Sequence, residues 1–285
     1  MVMKTKFSVA DFQKWKAEGR LINMLNCYDH MWARIMDVTD IPLILVGDSL
    51  GMCILGYSGT TPVTMDEMIM HTKAVVKGAP HTFVVGDMPF GSYNISRDEA
   101  VRNANRFMKE TGCDCIKLEG GVEMADKIEA IVKAGIPVMG HLGLTPQTAA
   151  ALGGFKTQGK SLAGAKKLIE DAKAVEAAGA SATLIETVPN VVADAMIRSI
   201  SIPVIGLGAG QHCHGYGIAV QDMLVMDPIK SMKPKFCRVY AHVGQQVVDI
   251  INRFYEDCSG GSYPSLDECY NVTEFDYSVE DLLKA

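Results

Sequence analysis

Residues 41–52 have the sequence IPLILVGDSLGM, and the fold prediction starts from this stretch. Pro42 opens a run of large aliphatic residues, and the run ends at Gly47, Asp48 and Ser49. A short, continuous apolar run bounded by turn residues is typical of a parallel strand that is buried on both faces. A carboxylate at the end of such a strand is costly unless it is paired or binds a metal. Asp48 is therefore a candidate functional residue.

Three further apolar runs end in a carboxylate. The run TFVVGD ends at Asp87, CIKLE ends at Glu119 and ATLIE ends at Glu186. In parallel α/β sheets the carboxyl ends of the strands form the ligand-binding edge. The repeated pattern predicts an enzyme whose active site is lined by acidic side chains.

Strands and helices alternate along the chain. The predicted strands are residues 21–27, 41–48, 82–87, 113–119, 136–141, 182–186 and 202–206, with Met223–Met226 as the candidate eighth. The S/T-x-x-E pattern at Thr64 and at Ser96 predicts two helix starts. Eight such units in about 250 residues match a (β/α)8 (TIM) barrel in the α/β class. An open doubly wound sheet is the alternative. The barrel is favoured because a closed ring brings every acidic strand end to one mouth.

Composition excludes several classes of protein. The 285-residue chain is 48% hydrophobic and 21% charged, which is typical of a globular protein with a large core. A formal net charge of −6 without a Lys/Arg run argues against nucleic-acid binding. No apolar stretch reaches the roughly 18–20 residues of a membrane span, and the N-terminus lacks a signal-peptide core. We expect a cytoplasmic protein whose eight cysteines are reduced thiols.

The domain organisation is predicted to be simple. We expect one barrel domain over residues 1–262 that begins with a capping helix, ended by Gly19. An acidic, tyrosine-containing C-terminal extension over residues 263–285 is expected to follow it.

The acidic strand ends predict a metal site. Asp48, Asp87 and Glu119 are hard oxygen ligands without His or Cys partners at equivalent positions, a set that suits Mg²⁺. Lys117 lies two residues before Glu119, so both side chains face the same side of the strand. There the ammonium group would orient a carboxylate substrate or stabilise an enolate oxygen. The alternative is structural, with the carboxylates capping helices and Lys117 in an ion pair.

Two further residues are candidates for the reaction itself. Glu186 ends an apolar strand, where a carboxylate is suited to act as a general base, or alternatively forms a satisfied salt bridge. His141 would line the site or donate to a substrate, and the alternative is a hydrogen-bonded structural histidine.

Several motifs are specific enough to point to a family. They are VGDSLGM (46–52), PVT (62–64), DMPF (87–90), IKLEGG (116–121), GHLGLTPQ (140–147), Gly159 and IGLGAG (205–210). Together they closely resemble the ketopantoate hydroxymethyltransferase (3-methyl-2-oxobutanoate hydroxymethyltransferase) family over roughly residues 21–242. The resemblance implies a barrel of the phosphoenolpyruvate mutase/isocitrate lyase type that assembles as a homodecamer.

The resemblance also implies a reaction. A hydroxymethyl group would pass from 5,10-methylenetetrahydrofolate to 3-methyl-2-oxobutanoate, giving 2-dehydropantoate for pantothenate and coenzyme A. The implied Mg²⁺ ligands are Asp48 and Asp87, with Glu119 in the metal's shell, and the implied oxo-acid contacts are Ser49, Asp87 and Lys117. Glu186 would accept the C3 proton. We expect a Mg²⁺-bound enolate that attacks the methylene carbon of the folate-derived iminium.

Two other functions are compatible with such a site. A carbon–carbon lyase, aldolase or mutase for another 2-oxo acid would act without folate, and usually carries a nucleophilic or acidic loop that is not found here. A non-catalytic relative that binds oxo acids would lack one of the key polar groups. The chain keeps all four of these groups: Asp48, Asp87, Lys117 and Glu186.

One segment departs from the family pattern. Where the family has Asp-Gly-Gln, aliphatic residues and then His-Asp, residues 214–222 have the sequence HGYGIAVQD. The polar positions that change type are His214, Tyr216 and Gln221. We expect this segment to border the mouth after the seventh strand, where it would alter the affinity for the one-carbon donor.

Overall fold

Eight parallel strands form a closed barrel. The computed structural model describes residues 5–229, 234–270 and 277–284. The strands are β1 (Met24–Asn26), β2 (Leu43–Val46), β3 (Phe83–Asp87), β4 (Cys115–Glu119), β5 (Val138–Gly143), β6 (Ala182–Glu186), β7 (Val204–Leu207) and β8 (Gly215–Ala219). They pair in chain order, and β8 closes the ring by pairing with β1. The predicted (β/α)8 barrel is confirmed.

Helices connect most of the strands. The α-helices are α1 (Asp11–Ala17), α2 (His30–Asp37), α3 (Leu50–Cys53), α4 (Met65–Gly78), α5 (Arg97–Thr111), α6 (Ala125–Lys133), α7 (Leu162–Ala177), α8 (Asn190–Ser199), α9 (Val220–Met223), α10 (Val243–Ser259) and α11 (Val279–Leu283). Short 3₁₀ helices cover Val122–Met124, Pro146–Thr148 and Leu266–Glu268. Both predicted helix starts are confirmed, because the hydroxyls of Thr64 and Ser96 accept backbone N–H bonds at the first turns of α4 and α5.

Aromatic side chains close the amino-terminal end of the barrel. Phe83 is the first residue of β3, and its ring centroid lies 4.9 Å from that of Phe7 and 5.3 Å from that of Phe12. Trp15 of α1 is buried in the same cluster. Burying large aromatic surfaces is among the strongest contributions to a core. With this end closed, the carboxyl ends of the strands are left for a site.

The eighth strand was predicted in the wrong place. The structure places β8 before the expected Met223–Met226, because residues 208–214 link β7 to β8 directly, without a helix. Gly215 and Gly217 break the apolar pattern of β8, and close packing against backbone atoms requires the first of them. A Cβ atom at Gly215 would lie 2.0 Å from the carbonyl oxygen of Ile22.

The described residues fall into two compact units. One contains residues 5–223 and 234–238, including the whole barrel, and the other contains residues 224–229, 239–270 and 277–284. In the second unit α10 exposes Val247, Ile250, Ile251 and Phe254. The domain boundary at residue 262 stays a prediction, and residues 271–276 and 285 of the expected extension lie outside the described residues.

Candidate functional site

The ends of β2, β3 and β4 bring three carboxylates and one ammonium group together. The backbone N–H of Asp48 donates to Asp87 Oδ2 at 3.1 Å. Lys117 Nζ donates to Asp87 Oδ1 at 2.7 Å and to Glu119 Oε1 at 3.3 Å. All four residues are at most 4% exposed. The acidic strand ends identified in the sequence therefore meet at one point, and Lys117 and Glu119 do face the same side.

This cluster carries excess negative charge. Burial raises the pKa of Asp48 well above its ordinary value, and the charges of Asp87 and Glu119 raise it further. Burial also raises the pKa of Asp87, against the opposing effect of Lys117. For Lys117 itself, burial lowers the pKa, but the carboxylates outweigh burial and leave the pKa above its ordinary value. One ammonium group thus faces three carboxylates, and a further cation would relieve their repulsion.

Glu119 is the best-satisfied carboxylate of the cluster. Its Oε1 lies 3.1 Å from His141 Nδ1 in addition to its contact with Lys117, and its Oε2 accepts the Gln147 backbone N–H at 3.1 Å. Burial would raise the pKa of Glu119, but Lys117 and His141 together hold it below its usual value. Glu119 is therefore a stably ionised anchor for its two cationic neighbours.

Glu186 lies on the opposite side of the His141 ring from Glu119. Its side chain is 15% exposed, and its Oε2 lies 3.3 Å from His141 Nε2 without the alignment of a hydrogen bond. The Glu186 carbonyl accepts the Leu144 N–H at 2.8 Å. Gly143 permits this approach, because it has φ +91° and a Cβ atom there would lie 2.3 Å from the same carbonyl oxygen. The backbone of Glu186 is thus fixed while its carboxylate stays accessible.

Ser49 belongs to a hydrogen-bonded group that includes two residues missed by sequence reasoning. Tyr28 Oη lies 2.8 Å from Ser49 Oγ, and Asn26 Nδ2 donates to Ser49 Oγ at 3.1 Å. Asn26 is the last residue of β1 and both new residues are buried. A polar residue at a predicted strand end is the signal that would have found Asn26.

Gln147 and Tyr93 were also missed. Gln147 lies in the 3₁₀ helix that follows β5, and its Nε2 donates to Asp48 Oδ2 at 2.9 Å. The Tyr93 hydroxyl donates to Gln147 Oε1 and accepts the Glu119 N–H at 3.1 Å. The presence of Gln147 in the GHLGLTPQ motif is the signal in its case, whereas nothing in the local sequence distinguishes Tyr93.

The carboxylates differ in how well they fit a divalent cation. Asp48 and Asp87 are adjacent, buried and of raised pKa, and oxygen ligands of this kind suit Mg²⁺. Glu119 fits less well as a direct ligand because it has three partners, two of them on Oε1, whereas each oxygen of Asp87 has one partner and Asp48 has one in total. Within the described parts of the chain, no three His, Cys, Asp or Glu side chains are arranged as a ready ligand set. Asp48 and Asp87 are thus the residues with the capacity to hold the ion.

The expectation that residues 214–222 border the mouth is wrong for His214 and Tyr216. Since β8 begins at Gly215, both residues lie at its amino-terminal end, away from the carboxylates. His214 Nδ1 accepts the backbone N–H of Val204, the first residue of β7, at 3.1 Å. The physical reason is the short link after β7, which returns the chain to the opposite end of the barrel. Gln221 follows β8 and is the changed residue on the mouth side.

Comparison with known proteins identifies the family. A family profile described as ketopantoate hydroxymethyltransferase matches residues 6–266. The chain belongs to the ketopantoate hydroxymethyltransferase family. A relative from Heliobacterium modesticaldum, named 3-methyl-2-oxobutanoate hydroxymethyltransferase, is 47% identical over 95% of this chain and 98% of its own length. A relative of the same name from Clostridium acetobutylicum is 48% identical over 97% of this chain and 98% of its own length. The predicted family and enzyme class are confirmed.

Solved structures agree on the fold type. A phosphonopyruvate hydrolase complexed with oxalate and Mg²⁺ has a TM-score of 0.60 at 12% identity, covering 93% of each chain. A 2,3-dimethylmalate lyase, described as a member of the PEP mutase/isocitrate lyase superfamily, has a TM-score of 0.57 at 12% identity, covering 97% of this chain and 93% of its own. These likenesses confirm the predicted barrel type. Among the described residues, no helix has both the length and the apolarity needed to span a membrane.

The charge on His141 gives a testable pH dependence of stability. Burial and Lys117 disfavour its protonation, but Glu119 and Glu186 outweigh them and raise its pKa to about 9 from its ordinary value of 6.5. A raised folded-state pKa adds stability that is fully present below the unfolded pKa and is lost as pH rises through the folded pKa. We expect the stability advantage of the wild type over His141→Gln to be fully present at and below the unfolded pKa of His141, and to shrink as pH rises from there to about 9.

Urea unfolding of both proteins across this pH range, without added metal, measures the difference. Thr148→Val, whose lost hydroxyl bonds only within its own 3₁₀ turn, serves as the control and should show no such trend. A wild-type advantage over His141→Gln that is constant with pH would contradict a charged, ion-paired His141.

Proposed function

We propose that the protein transfers a hydroxymethyl group from 5,10-methylenetetrahydrofolate to 3-methyl-2-oxobutanoate, giving 2-dehydropantoate for pantothenate and coenzyme A synthesis. The names of its relatives describe a hydroxymethyltransferase for this oxo acid. The observation that carries the proposal is the buried Lys117, held between Asp87 and Glu119 and beside Asp48, with Glu186 nearby. Such a site can bind an anionic oxo acid and remove a proton next to its carbonyl group.

The proposed substrate contacts follow from charge. Asp48 and Asp87 would hold Mg²⁺, with Glu119 behind them as the partner of Lys117 and His141. The bound ion supplies Lewis acidity, which increases the acidity of the C3–H bond. Ser49 Oγ and Lys117 Nζ would donate to the carboxylate and carbonyl oxygens of the oxo acid. Asp87 accepts from Lys117 at 2.7 Å and would keep its ammonium group charged and oriented. His141 lines the same site between Glu119 and Glu186.

Glu186 is proposed as the general base. Its carboxylate is the accessible one at the mouth, and its fixed backbone limits the positions that the carboxylate can reach. It would take the C3 proton, and the electron pair of the broken C–H bond would form the enolate. C3 then bonds to the methylene carbon, and the two C–N bonds that join this carbon to the donor break. One water supplies the hydroxyl oxygen, and the C3 proton and one water proton end on the two released nitrogens of tetrahydrofolate. His141 lies beside this base, with its Nε2 3.3 Å from Glu186 Oε2.

Assembly and location are part of the proposal. We propose a homo-oligomer, a homodecamer by family resemblance, and the exposed apolar residues of α10 support an association surface. Val247, Ile250, Ile251 and Phe254 of that helix are 42–66% exposed in the single chain. We also propose a cytoplasmic location, which agrees with eight cysteines that are all free thiols. Residues 263–285 are proposed to form a C-terminal extension of the barrel domain.

Release of tetrahydrofolate tests the proposed activity directly. We expect release from 5,10-methylenetetrahydrofolate to depend on a branched 2-oxo acid, with 3-methyl-2-oxobutanoate the best of a panel that includes unbranched acids. Product formation followed by NMR should show a new hydroxymethyl group on C3. Cleavage of another 2-oxo acid without any folate would instead favour a lyase, and oxo-acid binding without turnover would favour a non-catalytic relative.

Replacing Glu186 by Gln tests the base. Gln keeps the size of the side chain but cannot accept the proton, so turnover should fall about 10²–10⁴-fold. The dissociation constant of the oxo acid, measured by calorimetry, should change little. A variant that loses binding and turnover to the same extent would show that Glu186 has a structural role, and Glu186→Asp, which keeps a base, is the matched control.

A further inference from the structure

Gln147 connects parts of the site that are far apart in sequence. It is 2% exposed and lies in the 3₁₀ helix Pro146–Thr148, directly after β5. Its side-chain Nε2 donates to Asp48 Oδ2 at 2.9 Å and to the Met88 carbonyl at 3.0 Å. Its backbone N–H donates to Glu119 Oε2 at 3.1 Å. One residue thereby links the ends of four neighbouring strands, β2 to β5.

The direction of the hydrogen bonds fixes which end of the amide faces Asp48. Tyr93 Oη accepts the Glu119 N–H, so its single proton is free to be donated to Gln147 Oε1. With Oε1 occupied, the NH₂ end must face the opposite side. The Met88 carbonyl on that side can only accept, and it takes one amide proton while Asp48 Oδ2 takes the other. The orientation of Gln147 is therefore determined by its partners.

This arrangement suits a carboxylate that must bind a cation with one oxygen. The amide engages Asp48 Oδ2 without adding charge, so it does not compete with a cation as a lysine would. An acidic residue at this position would instead repel Asp48. The Asp48 side chain is held at Oδ2, and Oδ1 accepts from none of the described hydrogen-bond donors. Met88, the other acceptor, directly follows Asp87 in the chain.

We propose that Gln147 is a positioning residue that orients Asp48 toward the divalent cation, and that Tyr93 fixes the orientation of Gln147. This inference rests on the proposed function, because it assumes that the cation binds at Asp48 and Asp87. Hydrogen-bonding partners of metal ligands commonly control affinity by about 10–100-fold.

Mn²⁺ binding to the purified full-length protein tests the inference without reference to activity. Free Mn²⁺ is measured by electron paramagnetic resonance in the absence of substrate. Gln147→Met, which keeps the length of the side chain but has no amide, should weaken Mn²⁺ binding by about 10–100-fold. Tyr93→Phe leaves the amide of Gln147 in place but free to rotate. This variant should weaken Mn²⁺ binding by about twofold to tenfold, the equivalent of one neutral hydrogen bond.

Thr148→Val is the matched control, because Thr148 lies in the same 3₁₀ helix and its hydroxyl bonds only to Thr145. Wild-type affinity in the control, with weakened binding in Gln147→Met, supports the inference. Turnover of Gln147→Met should then be restored by raising the metal concentration, which a generally misfolded protein would not show. If Gln147→Met does not fold, Tyr93→Phe decides the question.

Two results would overturn the inference in different ways. Wild-type Mn²⁺ affinity in a folded Gln147→Met or, where that variant fails to fold, in Tyr93→Phe would refute the positioning role and leave the proposed function standing. Failure of the wild-type protein itself to bind Mn²⁺ would refute both the positioning role and the metal site of the proposed function.

Discussion

The contact on which the site depends is the buried Lys117 ammonium between Asp87 and Glu119. Without this charge, Asp48 and Asp87 would be buried side by side with no cationic partner, and Glu119 would keep only His141. Removing one partner of a buried ion pair commonly costs about 3–5 kcal/mol, because the remaining charge is left uncompensated. The single ammonium group does not balance the charge of the three carboxylates that face it. A single feature thus stabilises the barrel mouth and, in the proposed function, would help it to hold a divalent metal and an anionic substrate.

The barrel holds the charged side chains of this cluster in fixed relative positions. Asp87, Lys117 and Glu119 lie on strands whose register is set by backbone pairing, with Asp87 opposite Lys117 and Glu119 opposite His141. The aromatic cluster at the other end of the barrel keeps the strands in place without occupying the mouth. Fixed donors and charges of this kind stabilise a developing enolate without reorganising during the step.

The sequence was sufficient for the parts of the site that lie on single strands. Asp48, Asp87, Glu119 and Glu186 could be found because each ends a continuous apolar run. Gln147 could not be assigned a role, because its partner Asp48 is 99 residues away and is reached only by closing the barrel. The position of β8 was missed because Gly215, which packs against the backbone of Ile22, and Gly217, which lies beside Leu207, remove the apolar pattern of a strand. The misplacement of His214 follows from the same missing helix.

Deuterium exchange at C3 of 3-methyl-2-oxobutanoate tests the central claim, that this cluster enolises a 2-oxo acid. The protein is incubated with the acid in D₂O with Mg²⁺ and no folate, and loss of the C3 proton signal is followed by NMR. We expect rapid exchange that stops when the metal is chelated and resumes when Mg²⁺ is restored. Absence of exchange in a protein that transfers the hydroxymethyl group at a normal rate, or exchange that is unaffected by chelator, would contradict the account.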